Sequence, residues 1–274
     1  MTATMNSPAG EAGLTQPKIE FDRVTKVYRT DSGDQVVALA ETSLTVTEGE
    51  FICIVGPSGC GKSTLMQMLA GFHHPTTGRV LVDGVPVTKP DRNRGVVFQQ
   101  ANLYPWLTTR QNVELGPRLS GVGRVERRQC AEYYLDMVGL AKFADRKPYE
   151  LSGGMQQRAQ IARVLANDPK VILMDEPFGA LDALTRERMQ VELLQIWRER
   201  RKTVMFITHD VEEAIFLGSR VLVMTARPGR VLMDLPVHLA DGVPGPELRS
   251  QANFINLRDQ VTDAIYRAQD GATK

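Results

Sequence analysis

Three cysteines, Cys53, Cys60 and Cys130, are all that 274 residues contain, an odd number without metal-like spacing. They exclude a disulfide framework and read as reduced thiols of a cytoplasmic protein. Long apolar runs are missing too. Stretches such as Phe51–Val55 and Val171–Met174 fall far short of the roughly 20 residues a bilayer span needs, so no crossing is expected. The opening residues 1–17 lack both a basic start and an apolar stretch, which argues against a secretory signal and for a disordered leader. Charge of neither sign prevails: 33 Lys plus Arg face 32 Asp plus Glu, a net +1, so no bulk attraction to nucleic acid or acidic lipid is expected. Heptads, internal repeats and low-complexity tracts are absent as well. What remains, 42% hydrophobic and 24% charged residues, suits one large globular domain or two small ones.

The patterning changes along the chain. From Lys18 to Phe51 apolar residues alternate (IEFDRVTKVY, ALAETSLTV) around the turn signal Asp31-Ser32-Gly33-Asp34, which predicts antiparallel strands. Beyond Phe51, continuous apolar runs precede segments of helical length: FICIV before Ser63–Ala70, VILM before Leu184–Arg198, TVMFIT before Val211–Leu217. Runs apolar on both faces, each followed by a helix, predict a parallel sheet covered on both sides. Between Gln99 and Pro169 the strand signal stops, and Arg110–Leu119, Val125–Val138 and Met155–Asn167 read as helices inserted into the α/β core. Phe254, Leu257, Val261 and Ile265 share one face of a final helix, expected to pack on the body.

Residues 56–64 read Gly56-Pro57-Ser58-Gly59-Cys60-Gly61-Lys62-Ser63-Thr64, directly after an apolar strand. This is G-x-x-x-x-G-K-[ST], a loop whose glycines let successive N–H groups converge on one anion. Lys62 can neutralise β- and γ-phosphate oxygens, the Ser63 hydroxyl suits Mg²⁺, and the following helix adds its positive end. By average usage the pattern arises by chance in roughly one protein of this length in a hundred. The strand before it and the helix after it make a nucleotide site the reading.

VILMDEP (171–177) ends a buried strand in two carboxylates. Ligands of parallel sheets gather at the carboxyl ends of the strands, which places Asp175 and Glu176 beside the phosphate loop. Asp175 would hold Mg²⁺ through water, and Glu176 would act as general base on an attacking water. The plain alternative is a pair of solvated acids. His209, closing the strand TVMFITHD (203–210), falls on the same sheet edge and can reach a γ-phosphate, although a lone histidine is commonly a structural residue. Gln99, after the strand GVVF (95–98), can offer its carbonyl to metal or water.

LSGGMQQR (151–158), taken with the phosphate loop, Gln99, VILMDEP, the GALD stretch (179–182) and His209, strongly resembles the ATP-binding subunit of an ABC transporter. The resemblance covers residues 18–235. It implies a P-loop ABC ATPase of α/β class, with a mostly parallel sheet, an N-terminal antiparallel β subdomain and a helical insertion at about 100–168. Residues 236–274 would then be a C-terminal extension with a terminal helix. It also implies ATP and Mg²⁺, a head-to-tail homodimer, and Ser152, Gly153 and Gly154 meeting the γ-phosphate held by the other subunit. That fits the exposed N–H groups of a helix N-terminus, although a Ser-Gly-Gly N-cap can be merely structural. Tyr28 matches the aromatic residue that stacks adenine, with Val37 nearby; alone it would be a strand-pairing residue. Asp182 matches the loop connecting the two sites across the dimer.

RNRGVVFQQANLYPWLT (92–108), MDEPFGALDALTR (174–186), QIWRER (195–200) and ARPGR (226–230) are similar to importers of nitrate, taurine and aliphatic sulfonates. Met155, where glutamine is commoner in the superfamily, is shared with that branch. His73-His74 departs from the usual pattern. The roughly 50 residues after Met224 are too few for the regulatory domain of sugar-importer relatives. The implied partners are transmembrane permease subunits and a periplasmic or lipid-anchored solute-binding protein, with the ATPase peripheral on the cytoplasmic face of the membrane. Docking is expected at Ala101–Thr108, whose Leu103, Tyr104, Trp106 and Leu107 can otherwise be core of the helical insertion. The other reading is a soluble ABC ATPase acting on nucleic acid or ribosomes. No long coiled coil, second cassette or basic run supports it.

Overall fold

The structure, a computed structural model, describes residues 17–226, 228–239 and 246–270; most of the expected leader lies outside them. Strand β1 (Ile19–Arg29) pairs antiparallel with β2 (Gln35–Val46) across the Asp31–Asp34 turn, Tyr28 opposite Val36 and Val27 opposite Val37. Two further strands, β4 (Thr77–Val82) and β5 (Val85–Pro86), complete this sheet in the order β2-β1-β4-β5. Sequence patterning did not foresee them. The signal was Asp83-Gly84, which joins Val82 to Val85 with both residues at positive φ, the geometry of a two-residue hairpin turn.

The second sheet runs β10-β9-β3-β8-β7-β6. It comprises β3 (Phe51–Val55), β6 (Arg94–Val97), β7 (Val171–Asp175), β8 (Thr203–Ile207), β9 (Arg220–Thr225) and β10 (Arg230–Pro236). All pairs are parallel except β10 with β9, giving the mostly parallel sheet expected. β10, with its alternating burial, is an antiparallel edge strand that the apolar-run criterion does not find.

Side-chain alternation divides the interior in two. Phe51, Cys53 and Val55 of β3 join Phe206, Met174 and Val223 in one cluster. Ile52 and Ile54 join Met205, Leu173 and Leu222 in the other. This second face carries helix α1 (Lys62–Ala70) and, through Phe21, Leu39 and Val80, the antiparallel sheet. The first face carries the helical insertion, α2 (Thr109–Leu119), α3 (Arg124–Met137) and α4 (Gly153–Ala166), then α5 (Ala183–Arg200), α6 (Val211–Leu217) and α7 (Ala252–Asp270). Burial of Phe254, Leu257 and Val261 seats α7 on this face, at about 1.5–3 kcal/mol for each buried side chain. Ala264 and Ala268 continue the buried stripe while Ile265 lies at its margin. Among the described residues, no helix is long and apolar enough to cross a membrane.

Candidate functional site

Gly56, Gly59 and Gly61 all adopt positive φ, which curls residues 56–61 between β3 and α1. Lys62 Nζ lies inside the curl, 2.7 Å from the Gly56 carbonyl and 3.1 Å from that of Pro57, with Cys60 Sγ at 3.6 Å. Gly59, Cys60, Gly61, Lys62, Ser63 and Thr64 line an open concavity together with Ala38 of β2. Ala38 is braced from below: its carbonyl accepts from Gly229 N–H at 3.2 Å, while Ala40 N–H donates to the Gly229 carbonyl. Gly229 thus supports Ala38 at the edge of the phosphate loop.

Asp175, at the carboxyl end of β7, accepts a hydrogen bond from the Ser63 side chain. Burial pushes its carboxyl above the usual range. The charge of Glu176 adds to this, while the Ser63 bond and Lys62 oppose it. A half-buried carboxylate held against a hydroxyl, with the Gln99 carbonyl on the neighbouring strand end, forms an all-oxygen donor set. Mg²⁺ takes such hard ligands, so these residues fit the ion.

Glu176 has φ 45, a left-handed conformation that costs a non-glycine residue about 1 kcal/mol or more. Its N–H donates to the Ile207 carbonyl at 2.9 Å, pinning the turn to β8. That turn aims the carboxylate between two partners. Gln99 Nε2 donates to Glu176 Oε2 at 3.0 Å, and His209 Nδ1 lies 3.4 Å from Oε1. Three residues drawn from the ends of β6, β7 and β8 therefore meet at one carboxylate. Gln99, expected to face metal or water, has its amide nitrogen committed to Glu176, which leaves its carbonyl as the acceptor.

The other expected residues lie at the starts of α4 and α5 and in the antiparallel sheet. Ser152 caps α4, its hydroxyl accepting from Met155 N–H at 3.3 Å. Ser152 and Gly153 are exposed, and a side chain at Gly153 would meet open space. Gly154 abuts the Ala180 carbonyl and Leu181, so the GALD stretch lies against the start of α4. Asp182 caps α5, accepting from Thr185 N–H at 3.0 Å, and that bond lowers its carboxyl. Tyr28 lies edge-on to His73, ring centroids 6.4 Å apart, with Lys26 Nζ 5.1 Å from its ring centroid. Its cross-strand neighbour is Val36, whereas the exposed Val37 pairs with Val27. His73, which matched no motif, thus touches the one aromatic residue that did.

Sequence reasoning passed over a buried pair that fixes the Gln99 loop. Gln157 Nε2 donates to the Phe98 carbonyl at 2.9 Å. Gln160, its amide oriented to satisfy both neighbours, accepts from Phe98 N–H at 2.7 Å and donates to the Gln100 carbonyl at 3.2 Å. Both are fully buried. The available signal was two glutamines at i, i+3 on the stripe of α4 that otherwise reads Ile161 and Val164.

A curled phosphate loop between strand and helix, with a half-buried aspartate and a strained glutamate at another strand end, defines a P-loop nucleoside-triphosphate hydrolase. A family model described as ABC transporter matches residues 39–179. A putative ATP-binding protein of Brucella abortus is 51% identical over 255 residues, 93% of this chain and 95% of that one. The nitrate import ATP-binding protein NrtD of Synechocystis is 46% identical over 90% of this chain and 94% of its own. The taurine import ATP-binding protein TauB of Roseobacter denitrificans is 44% identical over 92% and 95%. Among solved structures, the dimeric post-hydrolysis state of the ATP-binding cassette MJ0796, bound to ADP and Pi, superposes with a TM-score of 0.72 at 38% identity, covering 80% of this chain and 99% of that one. The chain belongs to the ABC transporter family and is an ATP-hydrolysing subunit of such a transporter.

Proposed function

We propose that this ATPase powers an importer for a small anion or organic solute such as nitrate, taurine or an aliphatic sulfonate. The convergence of Gln99, Glu176 and His209 beside the phosphate loop carries the catalytic part of this reading. The full-length similarity to nitrate and taurine import ATPases supports the transport part. ATP would bind with its phosphates in the curl 56–64, Lys62 facing the β- and γ-oxygens and Tyr28 against the base. Ser63, Asp175 and the Gln99 carbonyl would hold Mg²⁺, which supplies charge neutralisation at the phosphates. Glu176 takes the proton of a water whose oxygen attacks the γ-phosphorus as the bond to the ADP oxygen breaks. His209, 3.4 Å from the Glu176 carboxylate, offers an N–H to the γ-phosphate.

The exposed Ser152–Gly154 start of α4 would reach the γ-phosphate of a second copy, and Asp182 would link the two sites. The dimeric form of the relative supports the pairing of two copies. The partners would be permease subunits and a solute-binding protein, the ATPase sitting peripherally on the cytoplasmic face of the membrane. Co-expression with its cognate permease subunits, followed by ATP-dependent uptake into vesicles, tests the reading. Uptake independent of a functional phosphate loop would overturn it.

A further inference from the structure

His209 is 70% exposed, so its place is governed by the backbone on either side of it. Asp210 N–H donates to Thr208 Oγ1 at 3.0 Å, closing a tight bend around the histidine. Glu213 then binds both flanks. Its N–H donates to Asp210 Oδ1 at 3.1 Å, and its carboxylate accepts from the Thr208 side chain. This carboxylate is 5% exposed, and catalysis by Glu176 makes no use of it. Its remaining partner is Gln190 of α5, 2% exposed, whose Nε2 donates to Glu213 Oε1 at 2.9 Å.

An amide can donate to a carboxylate in one orientation only, and something must choose it. Arg249 does: its Nη2 donates to Gln190 Oε1 at 2.8 Å. The guanidinium is itself held by the Phe216 ring of α6, 5.0 Å from the centroid, and by Glu187 at 3.5 Å. Arg249 stands in the turn Pro246–Ser250 that leads into α7, within the C-terminal segment rather than the nucleotide-binding core. Arg186, Asp210 and Glu213 form the common wall of two concavities, one holding Glu176 and His209, the other Gln190 and Arg249.

We infer that Arg249 is a positioning residue for ATP hydrolysis: through Gln190 and Glu213 it holds the bend that presents His209. The C-terminal segment is then a part of the hydrolytic machinery. Without Arg249 the Gln190 amide can invert and present its oxygen to Glu213. Burial already disfavours that carboxylate's charge, with the Thr208 and Gln190 bonds offsetting the penalty. Losing one of them loosens the link from α5 to the 208–210 bend. The ATP-binding groups of residues 56–64 are untouched, so the effect falls on turnover rather than affinity.

This rests on the proposed role of His209, and the experiment separates the two. Steady-state ATPase of the full-length chain is measured against Mg-ATP concentration for Arg249→Ala, Arg249→Lys, Gln190→Met, His209→Ala and the Arg249→Ala/His209→Ala double variant. Arg249→Ala is expected to lower kcat about two- to thirty-fold with KM nearly unchanged, the range seen for residues coupled through a network. Lysine, which can still donate to Gln190, should restore most of it. Gln190→Met severs the same chain while conserving buried volume and should match the alanine variant. The double variant should be no slower than His209→Ala alone. Wild-type kcat in Gln190→Met, or additive losses in the double variant, would overturn the inference. Wild-type turnover in His209→Ala would instead remove the role of His209 itself.

Discussion

Gln157 of the helix that begins just after Ser152 donates its amide to the carbonyl of Phe98, the residue immediately before Gln99. The helix whose start we propose meets the nucleotide of a second copy is therefore bonded, through a buried side chain, to the loop that carries Gln99. Gln160 closes the same staple on the far side of Gln99. A shift of the helical insertion cannot leave Gln99 behind without breaking buried hydrogen bonds.

Gln157→Leu should accordingly cost more than its volume change suggests. The half-buried Phe98 carbonyl would be left without its donor, a loss of about 1 kcal/mol. Urea unfolding should show a lower midpoint with the slope preserved. ATPase activity should fall too, because Gln99 loses its anchor. A midpoint equal to wild type would show that the staple carries no load.

Lys62→Ala should abolish hydrolysis and most nucleotide affinity. The ammonium sits 2.7 Å and 3.1 Å from two loop carbonyls, so the substitution removes both the phosphate-facing charge and the group that draws the curl together. Titration with a fluorescent ATP analogue reads the affinity directly. Wild-type turnover in this variant would relocate the site.

Glu176→Gln should bind ATP and scarcely cleave it. Losing a general base costs about 10²–10⁴ in rate, roughly 3–5 kcal/mol of barrier. The amide keeps the side chain's volume and its acceptor for Gln99, so geometry survives while basicity is lost. ATP held between Lys62 of one copy and Ser152 of another should then accumulate as a dimer. Light scattering with saturating Mg-ATP, the permease present, gives the answer: a monomer argues against the shared site.

Asp175→Asn should stabilise the nucleotide-free protein near neutral pH while weakening Mg-ATP binding. Burial is the main cause that raises the Asp175 carboxyl. The folded state thus binds its proton more tightly than the unfolded state does, and stability declines as pH rises from the ordinary carboxylate range through the raised value. Asparagine has no such proton, so the decline should flatten. Thermal unfolding across pH, with and without Mg-ATP, reads both halves. An unchanged pH profile would mean that burial imposes no penalty there.

Much of this was legible beforehand because the signals were local and repetitive. The phosphate loop, the runs at 51–55, 171–174 and 203–208, and the α7 stripe each declare themselves within a dozen residues. The hairpin Thr77–Pro86 escaped because its short strands hold only a few buried positions. Gln157, Gln160, Gln190, Glu213 and Arg249 escaped for a different reason. Their partners lie tens of residues away, and a polar residue on a buried stripe announces that a partner exists without naming it. The meeting of Gln99 with Glu176 depends on the strand order β8-β7-β6, which is a property of the whole sheet.

The segment Ala101–Thr108 leads into α2. Leu103 packs against the main core. Asn112, fully buried, ties the rest down: its Nδ2 reaches the carbonyls of Tyr104, Leu107 and Thr108, and its Oδ1 accepts from Tyr104 N–H. Yet this rigid loop leaves Trp106 68% exposed, its ring 5.5 Å from that of Tyr104. Leu107 lines a groove with Leu115 and the charged side chains of Glu114, Arg118, Arg124 and Arg127. A large aromatic held outward by a buried network has the makings of an interface anchor. A permease helix seated there would move with the Gln99 loop, linking nucleotide state to transport. Trp106→Ala should change folding stability little, within about 0.5 kcal/mol, as for other exposed positions, and should leave Mg-ATP affinity intact. Together with Leu107→Ala it should release the subunit from permease-containing membranes, or uncouple ATP hydrolysis from uptake. Unaltered co-purification and uptake in the double variant would move the docking site elsewhere and leave the ATPase assignment standing.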